Sequence, residues 1–238
     1  MKKWMFILLI LMSMMNDVTA QNADYLFMIE NATKAPSGHN TQPWLFKMKD
    51  SEIDIYPNIS EELPVVDPIH RELFVSLGCA TENLCIAAQQ KGYQTEVRIT
   101  NDSVIRVLLT KDEKAPCGSF LFPQIALRQT NRSVYNGEDI PKDSISLLKN
   151  VAKEPFVGVY FYKKGTADYT KIANMVYAGN RLQMKNEAFK TELKKWMRYN
   201  KPHQDKTRDG LSYAVFGAPN VPPLYICCHA REVLFLEP

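Results

Sequence analysis

The stretch Ala35-Pro36-Ser37-Gly38-His39-Asn40-Thr41-Gln42-Pro43-Trp44 decides how the rest of the chain is read. Pro36, Pro43 and Gly38 exclude a regular helix or strand through its middle. Ser37, His39, Asn40, Thr41 and Gln42 all carry side chains that form hydrogen bonds. Apolar residues at Tyr25, Met28, Ile29 and Ala32 predict a helix over Asn22–Thr33, immediately upstream. Trp44–Lys49 and Ile53–Tyr56, joined through Asp50-Ser51, predict a β-hairpin immediately downstream. A polar loop fixed between two ordered elements is a common place for a small-molecule site. A plain helix-to-strand connector built of turn residues is the other reading.

Further along, Leu63-Pro64-Val65-Val66 is extended by its proline, and Asp67-Pro68 reads as the N-cap and first-turn proline of a helix. Ile69, Leu73, Leu77, Ala80, Leu84 and Ala87 fall on one apolar stripe of that helix. Gly78, Ala80, Ala87 and Ala88 are small enough to admit a second backbone, and Gly92 ends the helix. Two strands follow, Tyr93–Thr100 and Val104–Leu109, with Asn101-Asp102-Ser103 as their turn. This order of elements is α+β. Lys111–Gly118 is a polar seam. Beyond it, Phe120–Leu127 leads into Arg128-Gln129-Thr130-Asn131-Arg132. Pro141–Lys153 reads as helix, Phe156–Tyr162 as strand, Asp168–Tyr199 as a long helical region and Asp209–Pro223 as loop.

The N-terminus reads as a targeting segment. Lys2 and Lys3 precede an apolar run from Trp4 to Met15, and Val18-Thr19-Ala20 fits a cleavage site. Met1–Ala20 is therefore expected to be a signal peptide, with a retained membrane anchor as the alternative, and no later stretch is apolar enough for a span. Lys and Arg number 29 against 26 Asp and Glu, a net charge of +3 that gives no footing for a nucleic-acid partner. The five cysteines (Cys79, Cys85, Cys117, Cys227, Cys228) form no C-x-x-C and no disulfide framework. His39, His70, His203 and His229 are scattered without metal-ligand spacing, so no metal site is expected.

Two arginines four residues apart, with Gln129 and Thr130 between them, suit a phosphate, because guanidinium forks bind phosphate oxygens bidentately. A surface loop with two solvated arginines is the alternative. No G-x-G-x-x-G, Walker or G-x-S-x-G pattern competes for either role, and Ser37 has no triad around it.

Ala35–Trp44 resembles the A-P-S-x-x-N-x-Q-P-W loop of the FMN-dependent nitroreductase superfamily. Leu63–Glu72 and Ser76–Ala88 are similar to the Acg-like branch, in which one chain carries two nitroreductase-like halves that imitate the usual homodimer. The resemblance runs from about Tyr25 to about Asn220. It implies a nitroreductase-like α+β fold of two half-repeats: a first half over 21–118 and a partial second half over 119–223. A tail over 224–238 does not resemble the family's continuation, so the second half is expected to be C-terminally truncated. The resemblance further implies FMN as cofactor and NAD(P)H as a candidate reductant. Pro36, Ser37, Gly38, His39 and Asn40 would lie against the isoalloxazine ring, and Arg128, Gln129, Thr130 and Arg132 along the ribityl phosphate.

Flavin chemistry needs no protein nucleophile, so no catalytic side chain is assigned. The function expected is that of an exported (periplasmic or extracellular) oxidoreductase reducing a nitroaromatic or quinone-like small-molecule acceptor. Flavin sequestration without turnover and an inactive fragment are the alternatives. The chain is expected to be a monomer imitating a dimer, or to self-associate through its incomplete half.

Overall fold

The helical spacing ahead of the loop forms α1, over residues 21–32, in a computed structural model that describes residues 21–112, 114, 118–130, 132, 135–151, 157–216 and 220. Tyr25, Met28 and Ala32 are buried, the face expected from their spacing. The loop then delivers the chain into β1 (Trp44–Lys49) and β2 (Glu52–Pro57), antiparallel from Trp44 opposite Pro57 to Lys49 opposite Glu52. After α2 (Arg71–Gln90) come β3 (Tyr93–Ile99) and β4 (Ile105–Lys111). β4 inserts beside β2, so the sheet runs β1-β2-β4-β3 with every pair antiparallel.

Side-chain alternation along the strands explains the layering. Ile53, Ile55, Ile105, Val107 and Leu109 form one core with α1 and α2. Asp54 lies between Ile53 and Ile55 on the strand and is also fully buried. Its carboxylate accepts from Arg106 through Nε (2.8 Å) and Nη2 (3.1 Å) and from Lys49 Nζ (2.7 Å). The Arg106 bonds, seconded by Lys49, hold this carboxyl down to about 2.

α2 buries Leu73, Leu77, Ala80, Leu84 and Ala87, as its stripe requires. Each leucine buried this way contributes about 1.5–3 kcal/mol. Its start differs from the expected one. The helix begins at Arg71, with His70 in the left-handed region as the residue before it, and Ile69 is 78% exposed. Asp67 still serves the helix N-terminus, because its Oδ2 accepts the Leu73 amide at 2.9 Å. Gly78 faces open space: its chain neighbours and its own helix backbone aside, no atom of the described residues lies within 4 Å of the position its side chain would take.

The remainder is mostly helical: α3 (Phe122–Leu127), α4 (Lys142–Val151), α5 (Ala167–Lys185), α6 (Glu187–Trp196) and α7 (Lys201–Thr207). The long helical region is broken at Asn186, whose side chain accepts the Ala188 and Phe189 amides and starts α6. Residues 157–162 are exposed and irregular, not a strand, because no strand among the described residues offers them a ladder. The segment expected to be loop from Asp209 instead supplies β6 (Leu211–Ser212), paired parallel with β5 (Met197–Arg198), and a 3₁₀ turn at Tyr213–Phe216. Phe156, Asn131, Cys117, the expected signal peptide and the 224–238 tail lie outside the described residues. No helix among the described residues is long and apolar enough to cross a membrane.

Candidate functional site

The loop after α1 is held in an unusual backbone. His39 (φ 48°), Asn40 (φ 55°) and Gln42 (φ 54°) are all left-handed without being glycine. Such residues cost of order 1 kcal/mol each, and they persist only where surrounding contacts determine them. Those contacts are visible. Ser37 Oγ accepts the Gln42 amide at 3.0 Å, and Ser76 Oγ accepts the Gly38 amide at 3.3 Å. The Asn40 and Thr41 amides donate to the Ser37 and Gly38 carbonyls. From the far end of the chain, the Gly210 amide donates to the Asn40 carbonyl at 3.0 Å, and Asn40 Nδ2 donates to the Gly210 carbonyl at 3.1 Å. Gln42 Nε2 donates to the Arg208 carbonyl at 2.8 Å.

These ties close a cavity of about 860 Å³. Pro36, Ser37, His39 and Asn40 line it from one side, and Arg128, Gln129, Thr130 and Arg132 from another. Eight of the nine residues singled out in the sequence thus meet at one cavity. Gly38 does not line it. A Cβ at Gly38 would instead come within 3.2 Å of Glu72 Oε2 and Leu63 Cδ1, two side-chain ends that would have to give by a few tenths of an ångström to admit it.

A third wall holds none of the residues expected to bind the cofactor: Gln204, Asp205 and Arg208, with Asp209, Gly210, Leu211, Ser212 and Val215 from the segment whose sequence reads only as loop. Local signals for part of it exist. Asn200 followed by Pro202 is an N-cap with first-turn proline, and Asn200 Oδ1 accepts the His203 amide at 2.9 Å. Arg208-Asp209-Gly210 is a helix stop, with Arg208 left-handed at φ 57°.

The charge of the cavity follows from which groups are already paired. Asp205 is held by Lys201 Nζ at 2.8 Å, and Asp209 by Arg198 Nη2 at 2.7 Å. Arg128, Arg132 and Arg208 form no ion pair with another described residue. Arg128 Nη2 donates to the Lys34 carbonyl at 3.3 Å, and the Arg132 guanidinium lies 5.6 Å from the Phe216 ring centroid. The net lining is cationic, with guanidinium donors to offer an anion.

His39 is half-buried, and burial pushes its pKa down. The Glu192 carboxylate opposes that shift, and Arg132 adds to it. Its imidazole is therefore neutral at neutral pH, with one donor and one acceptor nitrogen. Glu192 itself is buried on α6 and accepts the Val65 and Val66 amides at 2.9 and 3.0 Å, which pins α6 to the segment before α2. Among the described residues, no group of three His, Cys, Asp or Glu side chains is placed to hold a metal ion.

No family model matches the chain. Over 122 residues, 49% of its length, the chain is 30% identical to two proteins from two strains of Mycobacterium tuberculosis, each bearing the name "Putative NAD(P)H nitroreductase". The match takes in 36% of each of them, so the chain spans about a third of the length of the curated relatives it matches. This distant homology supports a relation to the nitroreductases.

Proposed function

We propose that the chain is an exported, FMN-binding, nitroreductase-like oxidoreductase of the Acg-like branch. One observation carries the reading. The Pro36–Asn40 loop and the Arg128–Arg132 segment, far apart in sequence, line one cavity whose volume lies in the usual range for cofactor sites. The similarity to proteins named as NAD(P)H nitroreductases supports the same class of chemistry.

The donor set fits FMN. Arg128 and Arg132, with the Thr130 hydroxyl, would hold the phosphate through charge-assisted hydrogen bonds. Arg208 adds a third guanidinium to the same lining. Asp205 and Asp209 do not repel the phosphate strongly, because Lys201 and Arg198 neutralise them. Asn40 and Ser37 would lie along the ring. Ser37 Oγ already accepts the Gln42 amide, so its hydroxyl proton is what it has left to donate. Neutral His39 offers either a donor or an acceptor to a ring edge. When bound, FMN supplies the electron transfer, drawing on a reductant such as NAD(P)H and passing reducing equivalents to a nitroaromatic or quinone-like acceptor.

The test is a visible spectrum of the purified chain, followed by addition of NADPH and a nitro compound. A yellow protein that bleaches and turns over is the expected result. A yellow protein that stays oxidised indicates flavin retention without turnover. A folded, colourless protein that takes up no added FMN overturns the reading.

A further inference from the structure

We infer that Arg198, which does not itself line the cavity, is a positioning residue for it: through Asp209 and Gly210 it holds the turn at residues 39–42, in which His39, Asn40 and Gln42 are left-handed. This rests on the flavin reading for its functional consequence, whereas the geometry stands independently.

Arg198 is only 5% exposed, and all three of its guanidinium nitrogens are used. Nε donates to Thr207 Oγ1 and Asp209 Oδ1, both at 2.9 Å, and Nη2 donates to Asp209 Oδ1 at 2.7 Å. Nη1 donates to the Lys195 and Met197 carbonyls at 2.9 and 3.2 Å. The fork therefore binds the end of α6 to the end of α7 and fixes Asp209. The β5–β6 pair, with Arg198 opposite Ser212, fixes the backbone beyond it.

Gly210 lies between these two clamps. It is buried, with φ at +75°, and an added Cβ would fall 2.4 Å from the Trp196 carbonyl oxygen and 2.6 Å from Arg198 Cζ. Only glycine fits there. From that position its amide and carbonyl make the reciprocal pair with Asn40, while the neighbouring Arg208 carbonyl takes Gln42 Nε2. The strained backbone at 39–42 is thus determined by a segment that Arg198 holds in place. A lysine in the same place supplies one ammonium where several divergent acceptors need a planar fork.

Site-resolved hydrogen exchange and FMN titration on the full chain test this together. Arg198→Ala and Arg198→Lys should both raise exchange at the Gly210 amide about tenfold or more, while the Ile53 and Val107 amides of the sheet stay at wild-type rates. FMN affinity should fall about tenfold. Free guanidinium ion below denaturing concentration should restore the Gly210 exchange rate of Arg198→Ala, a rescue that general destabilisation would not show. Asp209→Asn, a milder change, should open the same amide to a smaller degree. Unchanged exchange at Gly210, or acceleration throughout the sheet as well, would overturn the positioning role. Absence of FMN binding by the wild-type chain would sink the flavin reading alone, since the exchange pattern reports the clamp without any ligand.

Discussion

α2 and α5 are helices of 20 and 19 residues, and both carry apolar side chains at helical spacing. In α2 the stripe is buried to the last atom: Leu77, Ala80, Leu84 and Ala87 have no exposed surface. In α5 no residue is buried, and Met175 and Leu182 stand 66% and 69% exposed. Periodicity writes a helix in both cases. What differs is the partner: α2 packs against β2, β3, β4 and α3 and shares one core with α1, whereas α5 touches mainly α6. The lesson is that amphipathic spacing states a need for burial and leaves its fulfilment to tertiary contacts. The cavity sits across this divide. One wall comes from the loop beside the packed core, and the others come from the helical region that follows it.

The sharpest way to break the comparison is to cut equivalent volumes from both helices. Leu77→Ala should cost about 2–5 kcal/mol in chemical denaturation, the range for a buried leucine. Met175→Ala should stay within about 0.5 kcal/mol. Similar losses from the two would show that α5 is packed after all.

The next largest effect is expected in ligand binding, where the two regions must act together. Arg128→Ala combined with Arg132→Ala should weaken FMN binding by about 100-fold or more, since each removes a charge-assisted bond. Ser37→Ala should cost less than about tenfold, because its oxygen mainly serves the Gln42 amide. Equal or reversed losses in a flavin titration would count against the assigned roles.

The smallest effect is a pH signature of the packed region. Asp54 titrates at about 2 in the folded chain, against about 3.9 when unfolded. The folded pKa is depressed, so its contribution is present in full above the unfolded value and is lost as the pH falls through about 2. A denaturation midpoint followed from pH 5 downward should fall across that window, and Asp54→Asn should flatten it. An unaltered slope in the variant would remove Asp54 as its source.

The sequence was most informative where local rules and tertiary contacts agree. The helix before the loop, the two hairpins and the stripe of α2 were legible because turn residues and apolar spacing coincide with the core. The start of α2 was misplaced because Asp67 caps from six residues away, a reach that local capping rules do not describe. The strand expected near Tyr160 failed because β-propensity needs a neighbouring ladder. Two walls of the cavity were readable as polar and basic clusters. The third was legible only as a loop from Asp209, without its contacts, because Gly210 and Arg208 meet the 39–42 turn through backbone atoms, and Arg198 acts from outside the cavity. Nothing in their side-chain pattern announces that they meet Asn40 and Gln42.

The central claim is that this cavity holds FMN. Titrating FMN into the full chain and following flavin fluorescence, with circular dichroism to establish folding, tests it most directly. One equivalent should bind with quenched fluorescence, and the Arg128→Ala, Arg132→Ala chain should release it. A folded wild-type chain that leaves flavin fluorescence unchanged would contradict the account.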